Sequence, residues 1–331
     1  MVSDIVERDK PLAYVLGTQP FHPLPVDLVV RPPTLIPRPE TEAWLDTLTD
    51  RLLTSSAFLS PSEDATPSAD VGHEPFRVLD IGTGSSCLAL GLTYGLQSGQ
   101  SSSSRHNFRP VHTLAVDRSP SALSLARENA ERCGLLRESA APHSRSTCRP
   151  LAHVDVRQSD LFAPDFASFA RSALSTASSS SSSTSTPSLG FDLVVSNPPY
   201  ITLAEYVALD ASVKAWEDRG ALVGEAPGRG AFAGADAADD GLVFYRRIVS
   251  LLDELLRPPQ NRASRPLGQA GASSTPAVAF EVGQGQARAV QRLLQDWSGI
   301  RRDGTARRAE FGEVEVIRDP WGVERAVFAS W

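Results

Sequence analysis

The chain has 331 residues, of which 41% are hydrophobic and 21% are charged, and its net charge is −7. These values fit one or two globular domains and argue against a protein that coats nucleic acid, whose binding face would be basic; no apolar run approaches the ~20 residues of a membrane span. The three cysteines, Cys87, Cys133 and Cys148, form no C-x-x-C pair, and the histidines show no metal spacing, so we expect a reducing compartment, no disulfide scaffold and no metal site.

The first 53 residues are predicted to form a separate N-terminal segment. Its opening, MVSDIVERDKPLAYVLG, contains neither a signal-peptide core nor an arginine-rich amphipathic presequence. Phe21–Arg31, with the sequence FHPLPVDLVVR, predicts a short β-hairpin. Prolines at positions 32, 33, 37 and 39 then stiffen the chain before a helix that we expect to begin at Thr41.

Five stretches are predicted to be disordered surface insertions. They are rich in serine, proline, glycine or arginine, as in STASSSSSSTSTPS at 175–188. Such sequences cannot bury enough apolar surface to order themselves. The first insertion covers 54–75, and the others interrupt a main domain that we place at 76–331, near 97–110, 138–150, 171–190 and 257–276.

Apolar strands alternate with amphipathic helices between these insertions. The predicted strands are Arg77–Ile81, Val111–Val116, Ala152–Gln158, Phe191–Val195, Ala277–Val282 and a closing pair, Val314–Ile317 and Arg325–Phe328. The predicted helices run from Ser86 to about Leu96, from Ser119 to about Cys133, from Asp240 to about Leu256 and from Gln286 to about Trp297. This alternation predicts an α/β fold with a mainly parallel sheet that is covered by helices on both faces.

A glycine loop follows the first strand of the main domain, in the sequence DIGTGSSC from Asp80 to Cys87. Gly82 and Gly84 permit a tight turn and a close approach of the backbone to a ligand. The loop does not fit the dinucleotide pattern G-x-G-x-x-G, because Cys87 occupies its third glycine position. It is similar to the G-x-G-x-G loop of S-adenosylmethionine-dependent methyltransferases, with Ser86 in place of the last glycine.

Acidic residues follow the next two strands. Asp117 ends the second strand in LAVD, where a carboxylate can accept hydrogen bonds from both hydroxyls of a ribose. Asp160 follows the third strand in QSDLF, where it can accept a hydrogen bond from the exocyclic amine of adenine. Each aspartate alone is equally compatible with a helix cap or a solvated strand end. Their positions at successive strand ends favour a common ligand site.

The fourth strand ends in a proline-locked corner, DLVVSNPPYI at 192–201. Proline cannot donate to a sheet ladder, so Pro198 and Pro199 end the strand. They also restrict the backbone that precedes them, which holds Asn197 and Tyr200 at the carboxyl edge of the sheet, where ligands of open α/β sheets bind. The alternative interpretation is a plain turn from a strand into a loop.

Longer words of the sequence resemble one known family. PLAYVLGTQPF, LIPRPETE, VLDIGTGSSCLAL, AVDRSPSALSLARENA, QSDLF, FDLVVSNPPYI, ALVG, FEVGQGQ and DPWGVERAV occur in that order. In these words the chain resembles the class I S-adenosylmethionine-dependent methyltransferases, and among them the release-factor glutamine N5-methyltransferases of the PrmC/HemK type. Asn-Pro-Pro-Tyr is shared with enzymes that methylate adenine N6, whereas LIPRPETE, at Leu35–Glu42, is more diagnostic of the glutamine branch.

The resemblance implies a Rossmann-like, seven-stranded sheet whose last strand is antiparallel. It implies methyl transfer from S-adenosylmethionine to the glutamine of a Gly-Gly-Gln motif in a peptide chain release factor, by a monomer that a eukaryote would use in its mitochondria and other cells in the cytoplasm. The resemblance assigns donor binding to Gly82, Thr83, Gly84, Asp117, Asp160 and Asn197. It places the acceptor glutamine against Asn197, Pro198, Pro199 and Tyr200.

Two departures from the family pattern keep alternatives open. Only about ten residues precede PLAYVLG, where the family has a helical bundle, so we expect that this bundle is absent or that the chain is truncated. Ser86 would weaken donor binding if its Cβ crowded the donor. The alternatives are therefore an adenine-N6 methyltransferase that acts on DNA or RNA and a catalytically inactive scaffold.

Other residues of these words have more than one interpretation. Arg38, Glu40 and Glu42 either orient the acceptor loop or brace the predicted hairpin, and bracing is favoured for Glu42. The three remaining aromatic residues of interest are expected to pack in the interior or on a helix face: Tyr14, Trp44 and Trp321.

Overall fold

A seven-stranded sheet forms the centre of the computed structural model, which describes residues 8–55, 58, 74–102, 109–137, 152–175, 190–225, 240–257, 274–297 and 310–331. Two short strands, β1 (Thr18–Gln19) and β2 (Leu28–Val29), form a separate antiparallel pair. The main sheet consists of β3 (Phe76–Ile81), β4 (Val111–Asp117), β5 (Ala152–Gln158), β6 (Leu193–Ser196), β7 (Pro276–Glu281), β8 (Glu313–Arg318) and β9 (Glu324–Ser330).

The strand order of the main sheet is β5-β4-β3-β6-β7-β9-β8. Strands β3 to β7 are parallel, and β9 inserts between β7 and β8 antiparallel to both. The prediction of a Rossmann-like sheet with an antiparallel last strand is therefore confirmed. The carboxyl ends of β3, β4, β5 and β6 lie side by side at one edge, as the motifs at those ends require.

Helices cover both faces of this sheet. The described helices are α1 (Leu12–Leu16), α2 (Pro39–Leu53), α3 (Cys87–Ser102), α4 (Pro120–Arg132), α5 (Phe166–Ser175), α6 (Leu203–Ala208), α7 (Ala211–Trp216), α8 (Arg219–Leu222), α9 (Val243–Leu255) and α10 (Ala287–Trp297). Consecutive strand residues point to opposite faces: Val78 belongs to the hydrophobic cluster that includes α2 and α3, whereas Leu79 belongs to the cluster that includes α5, α9 and α10. Among the described helices, none is both long and apolar enough to cross a membrane.

Local chemistry explains where two of the helices begin. Ser119 caps α4, because its side chain accepts a hydrogen bond from the backbone N–H of Ala122, and Pro120 occupies the first turn as predicted. Helix α2 begins two residues before the predicted start, with Pro39 at its first position. The predicted hairpin is present, but its first strand lies at Thr18–Gln19, before the predicted range.

The structure corrects the boundaries of several expected insertions. Helix α3 continues to Ser102, although we expected an insertion from 97. Three glycines at helical spacing form a flat strip on α3 that lies against α2; a Cβ there would lie 2.7 Å from the Leu45 side chain at Gly91, 3.1 Å from Thr49 at Gly95 and 2.4 Å from Leu53 at Gly99. The polar composition therefore hid a packing surface.

The second correction concerns α5, which the sequence did not predict and whose last residues fall in the expected insertion 171–190. Phe166, Ala170 and Leu174 recur at helical spacing and are buried in the core. Arg257 was also placed in an insertion, but its side chain is 7% exposed and it binds Asp192 with two nitrogens at 2.6 and 2.7 Å. Most other residues of the five expected insertions lie outside the described residues.

Candidate active site

A cavity opens at the carboxyl edge of the sheet. It contains about 920 Å³ of space between atoms, including its open mouth. Its lining includes seven of the nine predicted site residues: Gly82, Gly84, Asp117, Asp160, Asn197, Pro198 and Pro199. Thr83 and Tyr200 do not line it.

The glycine loop is fastened to the end of β4. The N–H groups of Gly82 and Thr83 donate to the carbonyl of Val116 at 2.9 and 3.0 Å. The N–H of Gly84 donates to Asp117 Oδ2 at 2.9 Å, and the N–H of Ser119 donates to Oδ1 at 2.8 Å. Burial raises the pKa of Asp117, while these two donors favour its ionised form. The carboxylate is thus fixed in place and keeps acceptor capacity for a ligand.

Thr83 and Ser86 turn away from the cavity. The Thr83 hydroxyl donates to Asp80 Oδ2 at 2.6 Å and lies 3.3 Å from the Ser86 hydroxyl. Ser86 has a φ of 69°, so it occupies the left-handed region that glycine adopts at no steric cost. Its side chain is fully buried and is absent from the cavity wall. The expectation that its Cβ could crowd a ligand therefore finds no support in the geometry.

Asp80 lies beneath the loop and is fully buried. Burial raises the pKa of this carboxyl to about 7, against the opposing effect of the hydrogen bond from Thr83. Asp80 therefore changes charge near neutral pH directly under the glycine loop.

Asp160 and two aromatic rings line the cavity together. Asp160 Oδ1 accepts the N–H of Phe162 at 2.9 Å, which fixes the turn after β5. The rings of Phe162 and Phe244 pack edge to face with centroids 5.2 Å apart, and both line the cavity. Sequence reasoning missed these rings, although Phe162 stands two residues after Asp160. The pair of rings gives the cavity a flat apolar surface for a planar group.

The Asn-Pro-Pro-Tyr corner is anchored on both sides. Before the corner, the Ser196 hydroxyl donates to the carbonyl of Ile81 at 2.7 Å. After it, the carbonyl of Tyr200 accepts the Gln286 side-chain N–H at 2.9 Å. The Tyr200 ring lies over Gly283, where a Cβ would be 2.8 Å from it, and burial raises the pKa of its hydroxyl.

The Asn197 side chain contacts Glu281, an acidic residue that sequence reasoning missed. Glu281 ends β7 and is 5% exposed. It accepts hydrogen bonds from Thr41 Oγ1 at 2.6 Å, from Trp44 Nε1 at 2.9 Å and from the Asn197 side chain. The available signal was the position of Glu281 in FEVG, at the end of an apolar strand like Asp117.

Residues 33–35, which lead into the LIPRPETE segment, form one wall of the cavity with Asp218, Gly220 and Ala221. Arg38 Nη2 lies 2.6 and 2.7 Å from the two oxygens of Glu217, whose side chain is 1% exposed. The N–H of Asp218 donates to the carbonyl of Pro33 at 2.7 Å, and Pro33 and Asp218 both line the cavity. Glu42 accepts the backbone N–H of His22. Glu42 therefore braces the β1–β2 hairpin, and Arg38 ties the LIPRPETE segment to Glu217, the residue before Asp218 of the wall.

Asn129 fastens the hairpin to the glycine loop. Its Oδ1 accepts the N–H of Val29 at 2.8 Å, and its Nδ2 donates to the carbonyls of Val29 and Ser85, both at 3.1 Å. Asn129 is fully buried on α4. One amide therefore acts as a third strand for β2 and as a support for the loop.

Of the three aromatic residues that we expected to pack, two are buried and one is exposed. Tyr14 is buried and its hydroxyl donates to the carbonyl of Thr34 at 2.6 Å, and Trp44 is buried on α2. Trp321 is 82% exposed, so the prediction that it packs in the interior is wrong. It sits on a turn whose N–H groups are bound by the Asp319 carboxylate, and this turn needs no buried ring.

No cluster of histidine, cysteine, aspartate or glutamate within the described ranges is suited to a metal ion. The sheet order and the single antiparallel last strand, with a glycine loop and strand-end acids around one cavity, define a class I methyltransferase fold. The class alone leaves the methyl acceptor open.

Comparison with known proteins narrows the class to one family. No family model matches the chain. A release factor glutamine methyltransferase from Geobacter sulfurreducens is 30% identical over 323 residues, which cover 97% of this chain and 73% of the relative. Proteins of the same name from Gloeobacter violaceus and Bacillus cereus are 29% and 28% identical, and each aligns with 97% of this chain and with 75% and 76% of its own length. The chain belongs to the release factor glutamine methyltransferase family.

Solved structures with a similar chain course include a SAM-dependent methyltransferase from Agrobacterium tumefaciens. It is 14% identical, with coverage of 95% of this chain and 70% of that chain and a TM-score of 0.42. The METTL16 MTase domain is also 14% identical, with coverage of 92% and 73% and a TM-score of 0.42.

Proposed function

We propose that this protein transfers a methyl group from S-adenosylmethionine to the side-chain amide nitrogen of the glutamine in the Gly-Gly-Gln motif of a peptide chain release factor. Family membership supports the reaction and the substrate. The observation that carries the proposal is that Asp117 and Asn197 line the same cavity. A donor held at the first residue can therefore meet an acceptor held at the second.

The cavity residues fit the methyl donor. Asp117 retains lone pairs for ribose hydroxyls, the exposed backbone of Gly82 and Gly84 allows close approach, and Phe162 offers a flat surface beside Asp160 for adenine. When bound, the donor supplies an electrophilic sulfonium methyl group. Thr83 acts from beneath the wall, by holding Asp80.

The acceptor needs positioning more than acid–base catalysis, because an amide lone pair is delocalised into its carbonyl. Asn197 Oδ1 and the Pro198 carbonyl would accept the two hydrogens of the glutamine NH₂, which directs the nitrogen and stabilises positive charge as it develops there. Tyr200 contributes by holding this corner through Gln286, with its ring outside the cavity wall.

Asn197→Ala tests the acceptor role. We expect methyl transfer to fall by about 10²–10³-fold, the usual loss for one preorganised hydrogen-bonding group, while calorimetry shows donor affinity within about threefold of wild type. Mass spectrometry of a release factor, before and after incubation, measures the single added methyl on glutamine. Unchanged turnover in the variant would refute the role of Asn197.

Adenine N6 is also a planar amine with two hydrogens, so the corner alone does not distinguish the two acceptors. Parallel incubation of the wild-type protein with labelled donor and either release factor or nucleic acid decides between them. Label on nucleic acid alone would replace the proposed substrate, and no donor binding at all would identify a scaffold.

Two finer points of the proposal rest on the family resemblance alone. We propose that the protein acts as a monomer and, in a eukaryotic cell, within mitochondria. Light scattering of the purified protein tests the first point. Fractionation of cells that express a tagged full-length gene product tests the second, and a cytoplasmic signal would overturn it.

A further inference from the structure

We propose that Glu281 is the positioning residue that sets the orientation of the Asn197 amide, and that Thr41 of the LIPRPETE segment, with Trp44, holds Glu281 for this task. The inference rests on the proposed function, because the orientation matters only if Asn197 contacts the acceptor. The inference gives the LIPRPETE segment a chemical role besides its place next to the cavity wall.

The sheet register brings the two residues together. Strands β6 and β7 are parallel neighbours in which Ser196 pairs with Phe280. The next residues along each strand are Asn197 and Glu281, so both leave the sheet at the same level of the carboxyl edge. Neighbouring strands lie ~4.8 Å apart, which places the two side chains within hydrogen-bonding reach.

The chemistry of the contact fixes which end of the amide faces Glu281. Burial raises the pKa of Glu281, while the hydrogen bonds from Thr41, Trp44 and Asn197 favour its ionised form. An ionised carboxylate only accepts hydrogen bonds, so the Asn197 atom that binds it has to be the Nδ2 donor. The remaining end of the amide is the acceptor Oδ1, and Asn197 lines the cavity. If the amide were reversed, Asn197 Oδ1 would lie against the Glu281 carboxylate, where neither group can donate a hydrogen bond. Nδ2 would then face the NH₂ group of the substrate glutamine, which needs hydrogen-bond acceptors.

Thr41 and Trp44 keep the carboxylate in this role. Both donate to Glu281 Oε2, at 2.6 and 2.9 Å, from the first turns of α2. Their side chains are 1% exposed, so water does not replace them. A purely structural interpretation is that Glu281 ties α2 to β7. That role would affect the stability of the fold and leave turnover by the folded protein unchanged.

Glu281→Gln separates the two roles, because a glutamine of nearly the same shape offers a single acceptor oxygen to the three donors. We expect kcat for release-factor methylation to fall by about 10²-fold, with the Kd for S-adenosylmethionine within about threefold of wild type. Thermal unfolding confirms the folded fraction at the assay temperature. Full turnover by the folded variant would overturn the proposal.

A double-mutant cycle supplies the readout that a structural role would not move. If Glu281 acts through Asn197, adding Glu281→Gln to Asn197→Ala slows turnover by less than about twofold further, whereas independent roles multiply the two losses. Multiplied losses would overturn the proposal. If wild type itself fails to methylate the release factor, the proposed function has failed. If Asn197→Ala has full turnover, the proposed function stands and the role of Asn197 has failed. The inference falls in either case.

Two further variants guard against a Glu281 variant that does not fold. Tyr245→Phe is the matched control, because the Tyr245 hydroxyl donates to the backbone carbonyl of Glu281 at 2.7 Å and not to its carboxylate; it should change stability and leave kcat within about twofold. Combined Thr41→Val and Trp44→Phe removes the two holding donors. Valine keeps the shape of threonine, whereas phenylalanine is smaller than tryptophan, so the folded fraction of this variant is also measured by thermal unfolding. The variant should lower kcat by about tenfold, an effect that disappears in the Asn197→Ala background; an unchanged kcat would contradict the role of the two donors.

Discussion

At the scale of single residues, the glycine loop accommodates Ser86, which replaces the last glycine of the family pattern, by burying its side chain away from the cavity. Ser86 adopts a φ of 69° and buries its side chain, whereas Gly84, with a φ of 54°, lines the cavity. The left-handed conformation costs a non-glycine residue about 1–2 kcal/mol. Backbone strain at Ser86 therefore affects the stability of the fold, whereas a larger side chain at position 84 would affect the affinity for the ligand.

Ser86→Gly and Gly84→Ala form a matched pair. We expect Ser86→Gly to change the free energy of unfolding by no more than about 1 kcal/mol, because relief of strain is offset by the larger entropy of the unfolded chain. Its affinity for S-adenosylmethionine should stay within about twofold, while Gly84→Ala should bind at least about tenfold more weakly. Calorimetry measures both; a large gain in affinity for Ser86→Gly would show that the serine crowds the donor.

Asp80 predicts a pH dependence of stability. Its pKa is about 7 in the folded protein and ~3.9 in an unfolded chain, so the folded state binds more protons between these values. Stability therefore falls as the pH rises through this window. Urea unfolding at pH 5 and pH 8 measures how much the free energy of unfolding falls between these pH values. This fall should be roughly 1–3 kcal/mol larger for wild type than for Asp80→Asn. Equal losses in the two proteins would mean that Asp80 does not titrate in this window.

At the scale of elements, the contact between α2 and α3 depends on the three glycines of α3. Gly91 faces Leu45, which is 0% exposed, whereas Gly99 faces Leu53, which is only partly buried. Alanine gains about 1 kcal/mol of helix propensity at either position. The outcome then depends on whether the facing leucine can move.

Gly91→Ala should destabilise the fold by about 1–3 kcal/mol, because a buried leucine cannot give way in a packed core. Gly99→Ala should be neutral or stabilising by up to about 1 kcal/mol, because Leu53 can rotate toward solvent. Urea unfolding of both variants at one pH measures the contrast. Two shifts of the same sign and size would show that the strip is not a close contact.

At the scale of the whole molecule, apolar runs predict the sheet and strand-end motifs predict the cavity, because each run or motif is a short contiguous segment of the sequence. Gly82, Asp117, Asp160 and Asn197 converge because parallel strands end at one edge. Composition misled where polar sequence carries a packing face, as in α3 and α5. The bonds to Glu281 were out of reach, because Thr41 and Trp44 lie 240 and 237 residues away along the chain.

Asn129 has a consequence for how the acceptor reaches the corner. A ribbon of two residues per strand is not stable alone, and here its partner is one buried amide that also supports the carbonyl of Ser85. Swinging the hairpin outward would strand these polar atoms, at about 1–3 kcal/mol for each group. An outward-swung form is therefore scarcely populated, and residues 33–35, which follow the hairpin and line the cavity, meet the acceptor in a fixed position.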